Sequence, residues 1–172
     1  MNYSGIIGSD IANGIGVRVS LFVSGCTHRC KGCFNPDTWD FAAGRPFTRA
    51  TEDFLLDELS RPWIAGLSLL GGEPMEPGNQ RALVPFLRRF REMFGGTRDV
   101  WCYTGCVLEK DLLPPEGGAK PSRWRTEVTD EMLAAIDTLV DGPFVESLKD
   151  VSLKFRGSSN QRILNLRDIL RR

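Results

Sequence analysis

The chain has no charge excess: 22 Lys and Arg residues are balanced by 22 Asp and Glu. With no positive surplus and no run of like charges, binding driven by counterion release from nucleic acid is not expected, and partners must be recognised by shape. No apolar run approaches the ~18 residues needed to cross a bilayer. Residues 1–10 lack the basic start and apolar stretch of a signal peptide. These absences predict a cytoplasmic protein with no membrane segment and no nucleic-acid partner. The five cysteines lack an even count, and clustered thiols in a reducing compartment point to metal ligands or redox groups rather than a disulfide framework. At 172 residues the chain is too short for two comfortable domains and reads as one, spanning 1–172.

Three of the cysteines fall within Cys26-Thr27-His28-Arg29-Cys30-Lys31-Gly32-Cys33, a C-x3-C-x2-C spacing. Iron–sulfur clusters are normally held by four cysteines, so a cluster bound here keeps one iron without a protein ligand. An open coordination position separates a reactive metal site from a closed structural one. The same thiolates could hold zinc if His28, Cys102 or Cys106 supplied a fourth ligand, which would make the chain a non-catalytic zinc-binding interaction module. A zinc knot has no use for a glycine-rich turn beside it, whereas an open iron needs a pocket for an outside ligand. Gly71-Gly72-Glu73-Pro74 offers one wall of such a pocket, its glycines permitting close approach to the backbone.

Residues 17–23 are rich in β-branched and aromatic side chains and predict a strand that delivers the cysteine loop. Residues 10–16 form a turn-rich lead-in. Thr51 is a candidate cap for a helix with Phe54, Leu55 and Leu59 on its apolar side. The apolar run 66–70 predicts a strand covered on both faces and ending at the glycine-rich turn. Leu83, Phe86, Leu87, Phe90 and Phe94 recur at helical spacing, with Pro85 near that helix's start or at a kink. Residues 99–104 predict a third strand. The stretch 111–128 is rich in Pro and Gly without periodicity and reads as a surface loop or insertion. Thr129 can cap a helix carrying Met132, Leu133 and Ile136, residues 138–141 predict a fourth strand, Val151, Leu153 and Phe155 suggest another, and 163–172 ends the chain as strand or helix. Strands alternating with helices predict an α/β fold of mostly parallel strands. Ligands then sit beyond the carboxyl ends of those strands, where the four loops after 23, 70, 104 and 141 collect.

The cysteine spacing joined to Gly71-Gly72-Glu73-Pro74 resembles the radical S-adenosylmethionine (SAM) superfamily. Asn13-Gly14-Ile15-Gly16-Val17-Arg18, residues 21–28, Gly32-Cys33-Phe34-Asn35, Tyr103-Thr104-Gly105, residues 140–144 and residues 156–161 are together similar to the activating proteins of anaerobic ribonucleoside-triphosphate reductase. The resemblance implies a single-domain partial (β/α) barrel. It also implies a [4Fe–4S] cluster on Cys26, Cys30 and Cys33, and SAM bound at Gly32, Cys33, Phe34, Gly71, Gly72, Glu73 and Pro74. Reductive cleavage of SAM then gives methionine and a 5′-deoxyadenosyl radical, which removes a Cα hydrogen from a glycine of the reductase large subunit. A low-potential donor such as a flavodoxin or ferredoxin and a homodimer are further implied. Other glycyl-radical enzymes, or a small-molecule substrate, are the alternatives within the superfamily. Many members carry an aromatic residue before the third cysteine; here Gly32 holds that place and Phe34 follows.

No side chain is assigned as general acid or base, since the chemistry belongs to the cofactor. His28 is expected to support the cluster from behind its ligands. Cys102 reads as a small buried residue, and Glu73 and Asp141 as strand-end carboxylates that orient SAM or cap turns. Arg18 reads as a carboxylate partner, residues 156–162 as polar contacts to SAM or the reductase, and Trp39, Trp63 and Trp124 as docking-surface aromatics.

Overall fold

The computed structural model describes residues 1–170 except Glu116 and Gly118; the parts of the 111–128 and 163–172 expectations that fall on Glu116, Gly118, Arg171 and Arg172 lie outside the described residues. The strands are β1 (Asn2–Asp10), β2 (Val17–Val23), β3 (Arg45–Pro46), β4 (Ile64–Gly71), β5 (Asp99–Tyr103), β6 (Thr138–Asp141) and β7 (Arg162–Asn165). Between them lie helices α1 (Arg49–Leu59), α2 (Pro77–Phe94) and α3 (Thr129–Ala134), and α4 (Leu166–Leu170) closes the described chain. All strands join one 7-stranded sheet in the order β3-β1-β2-β4-β5-β6-β7. The central pairs β2·β4, β4·β5 and β5·β6 are parallel, while β1, β3 and β7 add antiparallel edges. The domain is thus mixed α/β with a parallel centre, and the loops after β2, β4, β5 and β6 share one edge.

Side chains alternate across a strand, so register decides what each face of the sheet carries. Val19, Leu67 and Val100 align in one row, and Leu21, Leu69, Cys102 and Leu139 in another. These belong to a continuous buried cluster with Leu55, Leu59, Leu83, Phe86, Leu87, Phe90, Met132 and Leu133 of α1, α2 and α3. The intervening rows are different. Ser20, Ser68, Trp101 and Thr138 align on the opposite face, with Phe22 beside Leu70 and Tyr103 beside Val140. Helices cover the first face; the second is left to polar groups, aromatics and loops, and it opens toward the carboxyl edge.

Buried Arg18 crosses that second face with every donor group used. Its Nε donates to Ser68 Oγ at 2.8 Å, one terminal nitrogen to Ile15 O and to Asp99 Oδ1, and the other to Leu67 O. Asp99 is therefore the carboxylate partner expected of Arg18. Ser68 Oγ donates in turn to Asn13 O at 2.6 Å, and Asp10 accepts from Ala12 N and Asn13 Nδ2. These bonds pin the 11–16 turn over the open face.

Several local expectations are corrected. The cap of α1 is Thr48, and Thr51 sits at N3 in a reciprocal capping box; Phe54 points to solvent. Pro85 lies well inside α2, and Pro77 occupies the first turn. Residues 151–155 form turns rather than a strand, with Val151 91% exposed and Phe155 at φ 58°.

Candidate metal and cofactor site

The cysteine loop leaves β2 through a left-handed glycine, Gly25, at φ 96°. Two neighbouring segments hold it by backbone bonds. Gly25 N donates to Thr38 O at 2.8 Å and Cys26 N to Trp39 O at 3.1 Å, while Gly72 N donates to Val23 O and Glu73 N to Gly25 O, both at 2.8 Å. A Cβ on Gly72 would stand 2.6 Å from Gly25 O and 2.9 Å from Thr38 O. The glycine-rich turn thus buttresses the cysteine loop, and side-chain-free backbone is needed for that contact in its own right. Asn79 of α2 bonds both Ser24 O and Glu73 O, and buried Glu76 accepts from Thr27 N and Thr27 Oγ1 at 2.7 and 2.6 Å.

Glu73 lies at the centre of the network. It is 1% exposed, and Oε1 accepts from Met75 N and Thr104 Oγ1 at 2.8 and 2.7 Å. Oε2 accepts from Gly105 N at 2.8 Å and lies 3.0 Å from His28 Nε2. The His28 ring stacks on Trp124 at 4.3 Å, and a Cβ on Gly105 would stand 2.7 Å from its Cδ2. Trp124 is 6% exposed, with the Arg123 guanidinium over its ring and its carbonyl accepting from Gln80. Arg123 also donates to Thr27 Oγ1 at 2.7 Å. The irregular 111–128 stretch is therefore anchored to the cysteine loop through Arg123 and Trp124, and Trp124 is no docking-surface residue.

One cavity of about 520 Å³ collects Cys26, Cys30, Cys33, Phe34, Gly71, Gly72 and Glu73. Gly32 and Pro74 stand outside its lining: Gly32 lies at φ 73° against Glu146, and Pro74 is buried beneath the turn. Phe34 is 62% exposed, packs edge-on against Phe144 and lies under Lys149 Nζ. Phe22, Leu70 and Tyr103, from the open face of the sheet, form part of the wall. Asp141 turns inward, accepting from Leu108 N and Arg162, and it neither faces the cavity nor caps its own turn. Cys102 and Cys106 are fully buried and do not line it. Trp39 does line it, as do Arg156 and Gln161; Trp63 remains exposed. Trp39 carries no sequence signal for this placement, while the position of Tyr103 at the end of a parallel strand does.

The donor set suits a multi-iron group. All five cysteines are free. Burial and, next, the Glu73 carboxylate push the Cys26 thiol up to about 11, and burial pushes Cys30 up as well. Thiolates in such surroundings need a bound cation to stabilise them. A single zinc with bonds of about 2.3 Å would draw its sulfurs to about 3.8 Å from one another. Among the described residues the trio whose ligand atoms all lie within 4.8 Å is His28, Glu73 and Cys106, not the three loop cysteines. That trio is a hydrogen-bond network around an already saturated carboxylate. Asn35 N points at Cys33 Sγ at 3.4 Å, the kind of contact that tunes a cluster sulfur.

A cysteine-loop site at the carboxyl edge of parallel strands defines an iron–sulfur class, and residues 12–164 match the 4Fe-4S single cluster domain family. The chain is 41% identical over 169 residues to the anaerobic ribonucleoside-triphosphate reductase-activating protein of Escherichia coli (strain K12), covering 97% of this chain and 100% of that protein. It is 39% identical over 163 residues to the protein of that name from Pasteurella multocida (strain Pm70), covering 94% and 95%. For the one from Enterobacteria phage T4 the figures are 36% over 165 residues, 95% and 93%. The chain belongs to the family of anaerobic ribonucleoside-triphosphate reductase-activating proteins.

Proposed function

We propose that the chain is a radical SAM activase that installs a glycyl radical on the large subunit of an anaerobic ribonucleoside-triphosphate reductase. The observation that carries this reading is the single cavity that unites Cys26, Cys30 and Cys33 with the Gly71-Gly72-Glu73 turn. The near full-length likeness to activating proteins supports it. In this reading Cys26, Cys30 and Cys33 would hold a [4Fe–4S] cluster, with SAM beside it in the same cavity. When bound, the cluster would supply one-electron reductive cleavage of SAM, the chemistry needed to remove a Cα hydrogen from the target glycine, with the electron coming from an outside donor.

The chain's own residues bind, orient and shield. Gly72 and Glu73 backbone groups fix the start of the cysteine loop, Glu73 and His28 tie it to the ends of β4 and β5, and Trp124 closes it from behind. Phe34, Gly71, Gly72, Glu73 and the backbone near Cys33 serve SAM, with Gly32 giving the loop its turn and Pro74 fixing the glycine-rich one. No acid or base from the protein is required.

The open face of the sheet is read as the interior of a radical SAM partial barrel, within one activase domain spanning 1–172 whose 111–128 stretch is an anchored surface segment. A flavodoxin or ferredoxin is the proposed electron donor, a homodimer the proposed assembly and the cytoplasm the proposed location. No helix among the described residues is long and apolar enough to cross a membrane.

Anaerobic reconstitution tests the proposal. Iron and inorganic sulfide near four each per chain, with 5′-deoxyadenosine formed from SAM on reduction, is the expected result. About one zinc without sulfide, and no SAM cleavage, would refute it.

A further inference from the structure

Thr27 and His28 are adjacent in the cysteine loop, and each meets a different carboxylate of the 73–76 turn. His28 meets Glu73 and Thr27 meets Glu76. Each also meets one of two adjacent residues of the 111–128 stretch, Thr27 the Arg123 guanidinium and His28 the Trp124 ring. The two carboxylates are satisfied differently. Glu73 accepts from Met75 N, Thr104 Oγ1 and Gly105 N besides facing His28. Glu76 is 4% exposed and precedes α2, yet makes no cap bond to that helix. Its Oε1 instead takes both Thr27 N and Thr27 Oγ1, at 2.7 and 2.6 Å.

The Thr27 hydroxyl has one proton, and Glu76 receives it. The hydroxyl oxygen in turn accepts from Arg123 Nη2 at 2.7 Å. The Arg123 N–H, the Thr27 O–H and the Glu76 carboxylate thus form one directed chain, in which each bond polarises the next. Arg123 is exposed but held, with its guanidinium 3.9 Å from the centroid of the Trp124 ring. Arg81, Arg88 and Arg125 each pair directly with a carboxylate of residues 127–131. Arg123 donates to the cysteine loop instead.

Glu73 and Glu76 place two buried negative charges against that loop, and charges act strongly where water is excluded. One-electron reduction of an iron–sulfur group adds a further negative charge and no proton, the electron leaving a low-potential one-electron donor. A cation fixed on Thr27, the residue after Cys26, opposes that build-up. Resting on the iron–sulfur part of the function proposed above, we propose that Arg123 is a positioning residue acting through Thr27: it fixes the loop beside Cys26, and its charge offsets Glu76 so that the cluster accepts its electron more readily.

The test is a redox titration of anaerobically reconstituted protein, followed by electron paramagnetic resonance, with melts of the cluster-free protein beside it. Arg123→Gln keeps a donor and removes the charge. Its equilibrium for reduction should fall about 3- to 10-fold, a potential about 30–60 mV more negative. Arg123→Lys restores the charge and should stay within twofold of wild type. Glu76→Gln keeps an acceptor for Thr27 and removes the opposing charge, so reduction should become about 3- to 10-fold easier. A potential within twofold of wild type in Arg123→Gln, or one that moves as far in Arg123→Lys, overturns the assignment. Melts that fall equally in both variants while their potentials stay put mark a structural tie only, and overturn it too. Should Arg123→Gln take up no cluster, Glu76→Gln decides: a potential unchanged or more negative than wild type overturns the assignment. Wild-type protein that takes up zinc and no sulfide overturns the function as well, whereas a loaded cluster with unmoved potentials overturns the role of Arg123 alone.

Discussion

Replacing Glu73 with glutamine should unsettle the site without changing its volume, and the geometry says by how much. Oε1 serves Met75 N and Thr104 Oγ1; Oε2 serves Gly105 N and faces His28 Nε2. A glutamine amide offers one oxygen and one NH2 group. In one orientation the NH2 meets Gly105 N–H, and in the other it meets Met75 N–H, so a buried backbone donor is orphaned either way. An unpaired buried donor costs about 1–3 kcal/mol, and the bonds that survive lose their charge assistance. The sum is about 3 kcal/mol against the roughly 5–15 kcal/mol of a typical domain. For a chain of this size that lowers the melting midpoint by about 6–12 °C. Circular dichroism melts of the cluster-free Glu73→Gln protein check the stability, and iron per chain after reconstitution checks the loop, with less than half the wild-type iron expected. A midpoint within 2 °C of wild type together with full iron loading would refute the view that Glu73 holds the cysteine loop in place.

Three further outcomes follow from the same geometry. Cys26→Ser, Cys30→Ser and Cys33→Ser should each bring reconstituted iron close to zero, while Cys106→Ala retains it; equal loss in the Cys106 variant would show that this thiol had been misassigned to the core. Trp124→Ala removes a core side chain and the stack on His28, costing about 3–5 kcal/mol by thermal melt, with Trp124→Phe recovering part of it. Asp137 has a carboxyl whose ionisation is opposed by burial, but the Arg91 guanidinium, the Val100 N–H and Arg167 outweigh that and hold it below its ordinary value. Its folded value lies below its unfolded one, so this stabilisation is present above about pH 4 and drains as pH falls through the folded value. The midpoint of wild type should therefore fall more steeply between pH 6 and pH 3 than that of Asp137→Asn; parallel curves would contradict the assignment.

The carboxyl edge of the sheet was legible because each of its strands ends in a signature of its own. The cysteine loop follows β2, the glycine-rich turn β4, Tyr103-Thr104-Gly105 β5 and Asp141-Gly142-Pro143 β6. β1 was not, since Gly5, Gly8 and Ser4 interrupt its alternation and most of it is only half buried. Residues 151–155 mimic strand alternation, but Phe155 adopts a left-handed backbone and packs edge-on against Trp101. The capping box of α1 uses Thr51 where Glu or Gln is usual, which disguised Thr48 as the cap. Trp39 and Trp124 show the deeper limit. Their placement depends on Cys26, His28 and Gln80, partners that local pattern does not reveal. Within the site the cysteines were readable from spacing, whereas the chain from Arg123 through Thr27 to Glu76 became visible only once the fold had brought its three segments together.

The most direct test of the central claim is electron paramagnetic resonance of an anaerobic mixture of the reconstituted protein, its reductase, SAM and a low-potential reductant. A glycyl radical signal on the reductase that requires SAM and disappears with Cys26→Ser, Cys30→Ser or Cys33→Ser is the predicted result. A reductase that stays radical-free beside a fully iron-loaded, SAM-cleaving wild-type protein would contradict it.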